Sequence, residues 1–199
     1  DVWRPLYAFA RRWGCTPEDA EDAVQGFIAS LLARRSLANV EAGRGKFRSF
    51  LLAGMRNHLS DERSRTTAAK RGGGAEAVSL DAAAEEGYAA LAVDSDSPER
   101  AFERVWAMEV MTRSRAKLGE ECAASGKAGV FAVLFSDGGE IESYAVAGGQ
   151  LGMSDQALRS QAMRLRRRWR ELIRAELAQS VSSSAALEEE MAALRAALV

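Results

Sequence analysis

Cysteine and histidine are nearly missing from this chain of 199 residues, which holds two of the first and one of the second. Cys15 and Cys122 lie far apart and match no metal-ligand spacing, so they read as ordinary thiols in a reducing, cytoplasmic setting. His58 has no second histidine or cysteine to form a transition-metal cluster with, and reads as a helix residue without catalytic work. No apolar run approaches the length of a membrane span. No signal peptide is expected, and the start at Asp1 rather than Met is read as the loss of a natural N-terminus. There is no phosphate-binding loop and no nucleophile–base pair. The acids Glu85 and Glu86 fall in a stretch too linker-like to position a rigid site. An enzyme is therefore the least supported class, and no catalytic residue, metal or cofactor is expected.

What is present is apolar residue enough for real cores, at 47% of the chain, in a length that allows one or two small domains. The net charge of −1 conceals a segregation. Residues 39–75 carry Arg44, Lys46, Arg48, Arg56, Arg63, Arg65, Lys70 and Arg71 against only Glu41, Asp61 and Glu62. Residues 76–121 are acidic, and basic character returns near residue 164. Two basic modules separated by an acidic span suggest two phosphate-facing surfaces.

The most informative stretch is 143–172. Residues 144–151 form a short apolar-patterned piece, and Gly152 supplies the left-handed conformation that ends a helix. Ser154 stands at an N-cap position, followed by Asp155 in the dipole-favoured first turn. Leu158, Ala162, Leu165, Trp169 and Leu172 then recur at helical spacing. Gln156, Arg159, Ser160, Met163, Arg164, Arg167 and Arg168 are left outside. This is the layout of a helix-turn-helix whose second helix enters a major groove, or of a plain helical hairpin with a solvated basic face.

Further helices are expected along the chain. Residues 3–13 place Leu6, Tyr7, Phe9 and Ala10 on one side, and Gly14 ends that helix. Thr16 caps the next, with Pro17 first and Glu18 and Asp19 in the opening turn. It is expected to pack through Ala20, Val24, Phe27, Ile28, Leu31 and Leu32, with Glu21, Asp22 and Gln25 on its other face. That face is either solvated or a docking face for a basic protein. Residues 35–46 form a loop with two glycines around Arg44. A helix from Phe47 to about residue 65 turns Phe47, Phe50, Leu51, Met55 and Leu59 inward, leaving Arg48, Arg56, Asn57 and Arg63 outside. Gly72, Gly73 and Gly74 mark a flexible exit.

The runs AEDAVQGFIASLL, GRGKFRSFLLAGMRNHLSDERSR and AKRGGG together resemble region two of bacterial sigma factors of the extracytoplasmic-function type. SPERAFERVWAMEVM, GKAGVFAVLF, the 143–172 stretch and the EEEMAALRAAL tail resemble later parts of one subgroup, so the likeness covers nearly the whole chain in order. It implies an all-α protein of two small helical domains. A region-two-like domain spans 1–74, a linker 75–97, a region-four-like domain 98–180, and a helical tail 181–199. The resemblance also implies roles. Asp22 and Gln25, with Glu21 beside them, match the face that binds a coiled coil on core RNA polymerase, although Gly26 stands where the family usually has Glu. Residues 39–45, with Asn39 and Arg44, match the loop that captures a base flipped from the melted non-template strand at the minus-ten element. Lys46, Arg48, Arg56 and Arg63 would join Arg44 on the strand's phosphates. Binding energy for the separated strand then offsets unpairing, with no catalytic group needed. In the second domain Arg159, Ser160, Met163 and Arg164 match base-facing positions on the duplex minus-thirty-five element. Ser154 and Gln156 begin that helix, and Arg167 and Arg168 are better suited to phosphates.

In the remaining stretches, residues 75–97 read as an acidic tether with a transient helix around 80–91. Ser97 caps a helix that starts at Pro98, buries Phe102, Val105, Trp106 and Val110, and ends near Gly119. VFAVLF has strand propensity but no pairing partner, so a helix from about Lys127 is expected, with a turn at 137–139. Val146, Gly148 and Gly149 depart from the family's Glu, Ala and Ala, and two helix-interior glycines cost roughly 1 kcal/mol each. In the tail, Leu187, Met191, Leu194 and Leu198 suggest a helix covering the second domain, with Glu188, Glu189 and Glu190 between them. An alternative is an inhibitory tail whose acids compete with DNA for the Arg164–Arg168 cluster, replacing a separate anti-sigma protein. Ser64, Thr66 and Thr67 sit in basic surroundings, where a Ser/Thr kinase would add charge that repels DNA. Two rivals stay open. One is a helix-turn-helix regulator that never needs polymerase. The other is a sigma-like decoy or adaptor, towards which Gly26, Gly148 and Gly149 lean.

Overall fold

The computed structural model describes residues 2–33, 47–69, 97–135 and 143–199, with side chains described at all of these except 65–69. Among them all regular structure is helical. The elements are α1 (Trp3–Trp13), α2 (Pro17–Ala33), α3 (Phe47–Ala69), α4 (Pro98–Ala124), α5 (Ala128–Leu134), α6 (Tyr144–Gln150), α7 (Asp155–Ala178) and α8 (Ser184–Ala197). None of the described helices is long and apolar enough to cross a membrane. The loop expected at 35–46, the glycine run at 72–74, the tether short of Ser97 and the turn at 137–139 lie outside the described residues.

The chain divides into two compact units, Asp1–Glu109 with Ser180–Val199, and Val110–Gln179. The line between them falls inside α4. Residues 180–199 thus belong with the first unit, whereas the apolar spacing of that segment had suggested a cover for the second.

In the first unit α1, α2 and α3 pack on one another. α1 ends as its sequence predicts, with Gly14 at φ 104° and the Cys15 amide bonded back to the Ala10 carbonyl at 3.1 Å. Thr16 Oγ1 accepts from the Asp19 amide at 3.2 Å, capping α2. Leu6, Tyr7, Phe9, Val24, Phe27, Leu51, Met55 and Leu59 fill the centre. α2 and α3 approach closely at Gly54, where any side chain would stand 2.8 Å from the Phe27 ring. The start of α4 closes this core. Ser97 Oγ accepts from the Arg100 amide at 3.2 Å, Ala101 and Val105 pack on Ala8, and Phe102 stacks on Trp106 with ring centres 5.9 Å apart. α8, capped by Ser183 on the Ala186 amide at 3.1 Å, adds Leu194 and Ala197.

In the second unit Leu118, Cys122, Leu165 and Leu172 form a cluster lined by Val130, Phe131, Leu134, Phe135 and Trp169. VFAVLF is helical, as the lack of a pairing partner required. α4 differs from expectation by running through Gly119 to Ala124. The glycine is there for packing, since a Cβ would lie 3.1 Å from the Phe131 ring. The left-handed residue that follows α4 is Gly126, at φ 71°. Burial pushes the Cys15 and Cys122 thiols above the ordinary range, which makes both poor nucleophiles.

Candidate nucleic-acid interface

The turn between α6 and α7 is built as its residues dictate. Ser143 Oγ accepts from the Val146 amide at 3.4 Å and starts α6. The chain leaves α6 through Gly152 at φ 64°, and the Met153 amide bonds back to the Gly148 carbonyl at 2.8 Å. This turn is so tight that a Cβ on Gly148 would stand 2.7 Å from the Met153 carbonyl oxygen. Ser154 then caps α7, accepting from the Ala157 amide at 3.2 Å.

Leu158, Ala162, Leu165 and Leu172 are buried, and Trp169 is half-buried with its indole N–H on the Ser114 hydroxyl at 3.0 Å. The opposite face of α7 is open. Gln156, Arg159, Met163, Arg164, Arg167 and Arg168 are exposed, and Ser160 is half-buried beside them. Met163 is an open apolar side chain, 70% exposed, next to Arg164 in the sequence. Arg159 lies over the Tyr144 ring at 4.6 Å and is steadied by Asp155 at 2.8 Å. Arg164 donates to the Ser160 carbonyl at 3.4 Å. Arg167 reaches Glu171 at 3.3 Å.

Arg168 differs from its neighbours. It donates to both oxygens of Glu121, at 2.7 and 2.9 Å, and to Glu171 at 3.1 Å. Its hydrogen bonds hold the Glu121 carboxyl below its usual range. As a phosphate contact Arg168 must trade these carboxylates for the ligand.

The first unit carries the other predicted residues. Asp22 and Gln25 are exposed on α2, in line with Gly26 and Ala29. Glu21 is not on that face: it is only 8% exposed, because helical geometry turns it with Val24 and Ile28 towards the core rather than with Asp22 and Gln25. Leu32, expected to be inward, is 63% exposed and extends the open stripe. On α3, Arg56, Asn57 and Arg63 are exposed. Arg56 nevertheless pairs with Glu99 of α4.

Arg48 departs furthest from the outward position expected of it. Its side chain is 11% exposed and is held by Glu103 at 2.7 Å and by Glu190 of α8 at 3.0 and 3.2 Å. Burial works against its charge, and the two carboxylates more than offset this, raising its pKa. Asn39, Arg44 and Lys46 lie outside the described residues, as do the side chains of Thr66 and Thr67.

Sequence reasoning missed the carboxylates that these arginines meet. Glu99, Glu103 and Glu121 looked like part of a diffuse acidic stretch. Glu190 was placed on the outside of the tail, yet it is the most buried residue there, at 2% exposure. A signal existed: Leu187, Glu190, Leu194 and Ala197 share one helix face as well as Leu187, Met191, Leu194 and Leu198 do. Comparison with protein-family models, curated proteins and solved structures finds no match.

Proposed function

We propose that this chain is an alternative sigma factor of the extracytoplasmic-function type, a non-enzymatic, cytoplasmic protein that directs core RNA polymerase to promoters. The observation that carries the reading is the exposed face of α7. A capped helix follows a tight turn, is anchored by Leu158, Ala162 and Leu165, and offers Arg159, Met163 and Arg164 outward. That geometry suits base edges and phosphates of a duplex major groove. On this reading the second unit reads the minus-thirty-five element. The first unit docks on polymerase through Asp22 and Gln25, and α3 with the basic stretch that precedes it in the sequence meets the melted minus-ten strand.

A regulator that binds duplex DNA without polymerase is the second reading. The engagement of Arg48 and Arg56 by internal carboxylates favours it, because it reduces the cationic surface α3 offers to a strand.

Run-off transcription with core RNA polymerase on a pool of randomised promoters separates the two. Start sites that depend on the protein and share two spaced elements support the sigma reading. Selective duplex binding with neither initiation nor polymerase binding supports the regulator. Polymerase binding without initiation marks a decoy.

A further inference from the structure

α8 is fixed to the first unit by charge as well as by its apolar residues. Glu190 is buried, and the Arg48 Nε and Nη2 groups donate to its two oxygens at 3.0 and 3.2 Å. The remaining arm, Nη1, donates to Glu103 at 2.7 Å. Eight residues along α3, and about 80° further round the helix, Arg56 is paired with Glu99. The segment that leads into α8 also touches α3: the Ser180 carbonyl accepts from the Phe47 amide at 3.3 Å, satisfying one of the amides a helix start leaves open.

A guanidinium held in this forked way is held as a phosphate would hold it. A buried carboxylate is also an unneeded device for packing alone, since well-packed apolar residues in place of a buried ion pair are often neutral or stabilising. What an ionic clasp offers instead is exchangeability: another polyanion can take the same guanidinium.

We propose that α8 is an internal mask of one cationic group of α3, with Glu190 occupying Arg48 in place of a nucleic-acid phosphate, so that a single strand gains that contact only by displacing the helix. This rests on the reading that α3 meets the melted strand, and adds to it a regulation carried within the chain.

The test is fluorescence-anisotropy binding of a labelled single-stranded DNA to the full chain, to Glu190→Gln, and to Glu190→Gln with Arg48→Gln, across a salt series. Glu190→Gln should bind several-fold more tightly, with its salt slope steeper by about 0.7, the value of one further phosphate contact on a single strand. The double variant should return to the wild-type slope. Equal binding by wild type and Glu190→Gln overturns the mask, as does a gain that survives loss of Arg48.

Should Glu190→Gln fail to fold, the wild-type chain still decides. Hydrogen exchange of residues 184–197 should quicken when the oligonucleotide saturates the protein, and unchanged or slower exchange sinks the proposal. Run-off initiation with core polymerase, measured in parallel, separates the two failures. Initiation by the full chain with no effect of Glu190→Gln removes the mask alone. Neither initiation nor strand binding removes the sigma reading and the mask with it.

Discussion

The Met153 carbonyl folds back over Gly148 so closely that the position has no room for a methyl group, while Gly149, the next residue, faces open space. Two adjacent glycines in one short helix therefore do different things. Gly148 lets the turn between α6 and α7 close, and Gly149 is a helix-interior glycine without a packing reason.

Their alanine variants should diverge. Gly148→Ala must push the turn open and should destabilise the second unit by about 1–3 kcal/mol, as overpacking does. Gly149→Ala should stabilise it by about 1 kcal/mol through backbone entropy and helix propensity. Thermal melting of both variants is the check; an unchanged or raised melting temperature for Gly148→Ala would show that the turn has room for a methyl group.

Ser114 is fully buried, accepts from the Trp169 indole and donates to the Met111 carbonyl at 3.0 Å. Ser114→Ala leaves that indole N–H without its acceptor and should cost about 1–3 kcal/mol. Chemical denaturation followed by tryptophan fluorescence measures this. A Ser114→Thr variant, which keeps the hydroxyl, tests whether the hydrogen bond or the added volume matters.

Acid should loosen the second unit through Glu176. Its hydrogen bond from Lys117 at 2.6 Å and that from Arg113 at 2.8 Å outweigh partial burial and hold its pKa below the ordinary value of 4.5. A depressed carboxyl contributes stability that is complete above the unfolded pKa and lost as pH falls through the folded one. Melting temperature should therefore drop on going below about pH 4.5, more steeply in wild type than in Glu176→Gln. Parallel acid limbs for the two proteins would remove Glu176 from the account.

Gly26 lies exposed on α2 beside Gln25, and a Cβ there would meet His58 Nε2 at 3.4 Å, an ordinary contact. If the Asp22–Gln25 face docks on polymerase, Gly26→Glu adds a third polar group to it. Affinity for core polymerase should rise several-fold. The helix should also gain about 1 kcal/mol from loss of the glycine. A stability gain with unchanged polymerase affinity would separate the two effects and count against docking through this face.

Much of the helical layout was legible because it rests on local chemistry. Caps at Thr16, Ser97 and Ser154, left-handed glycines at Gly14 and Gly152, and apolar spacing in α1, α3 and α7 each act within one or two turns. What was not legible depends on distant partners. The continuation of α4 past Gly119 depends on the Phe131 ring, and the burial of Glu190 depends on an arginine far away in sequence. Of the candidate surface, the open face of α7 followed from its helical period. The covering of Arg48 did not, because a charged residue on an apolar face declares its position only once its counter-ion is known.

The first unit is discontinuous in the chain, and Glu190 lies 142 residues beyond Arg48. A ribosome builds in that order. While the intervening segment is still being synthesised, α1, α2 and α3 can already assemble, since their contacts are local. The Arg48 guanidinium must then wait, solvated, for a carboxylate not yet made. The clasp can therefore form only after the whole segment between the two residues has left the ribosome.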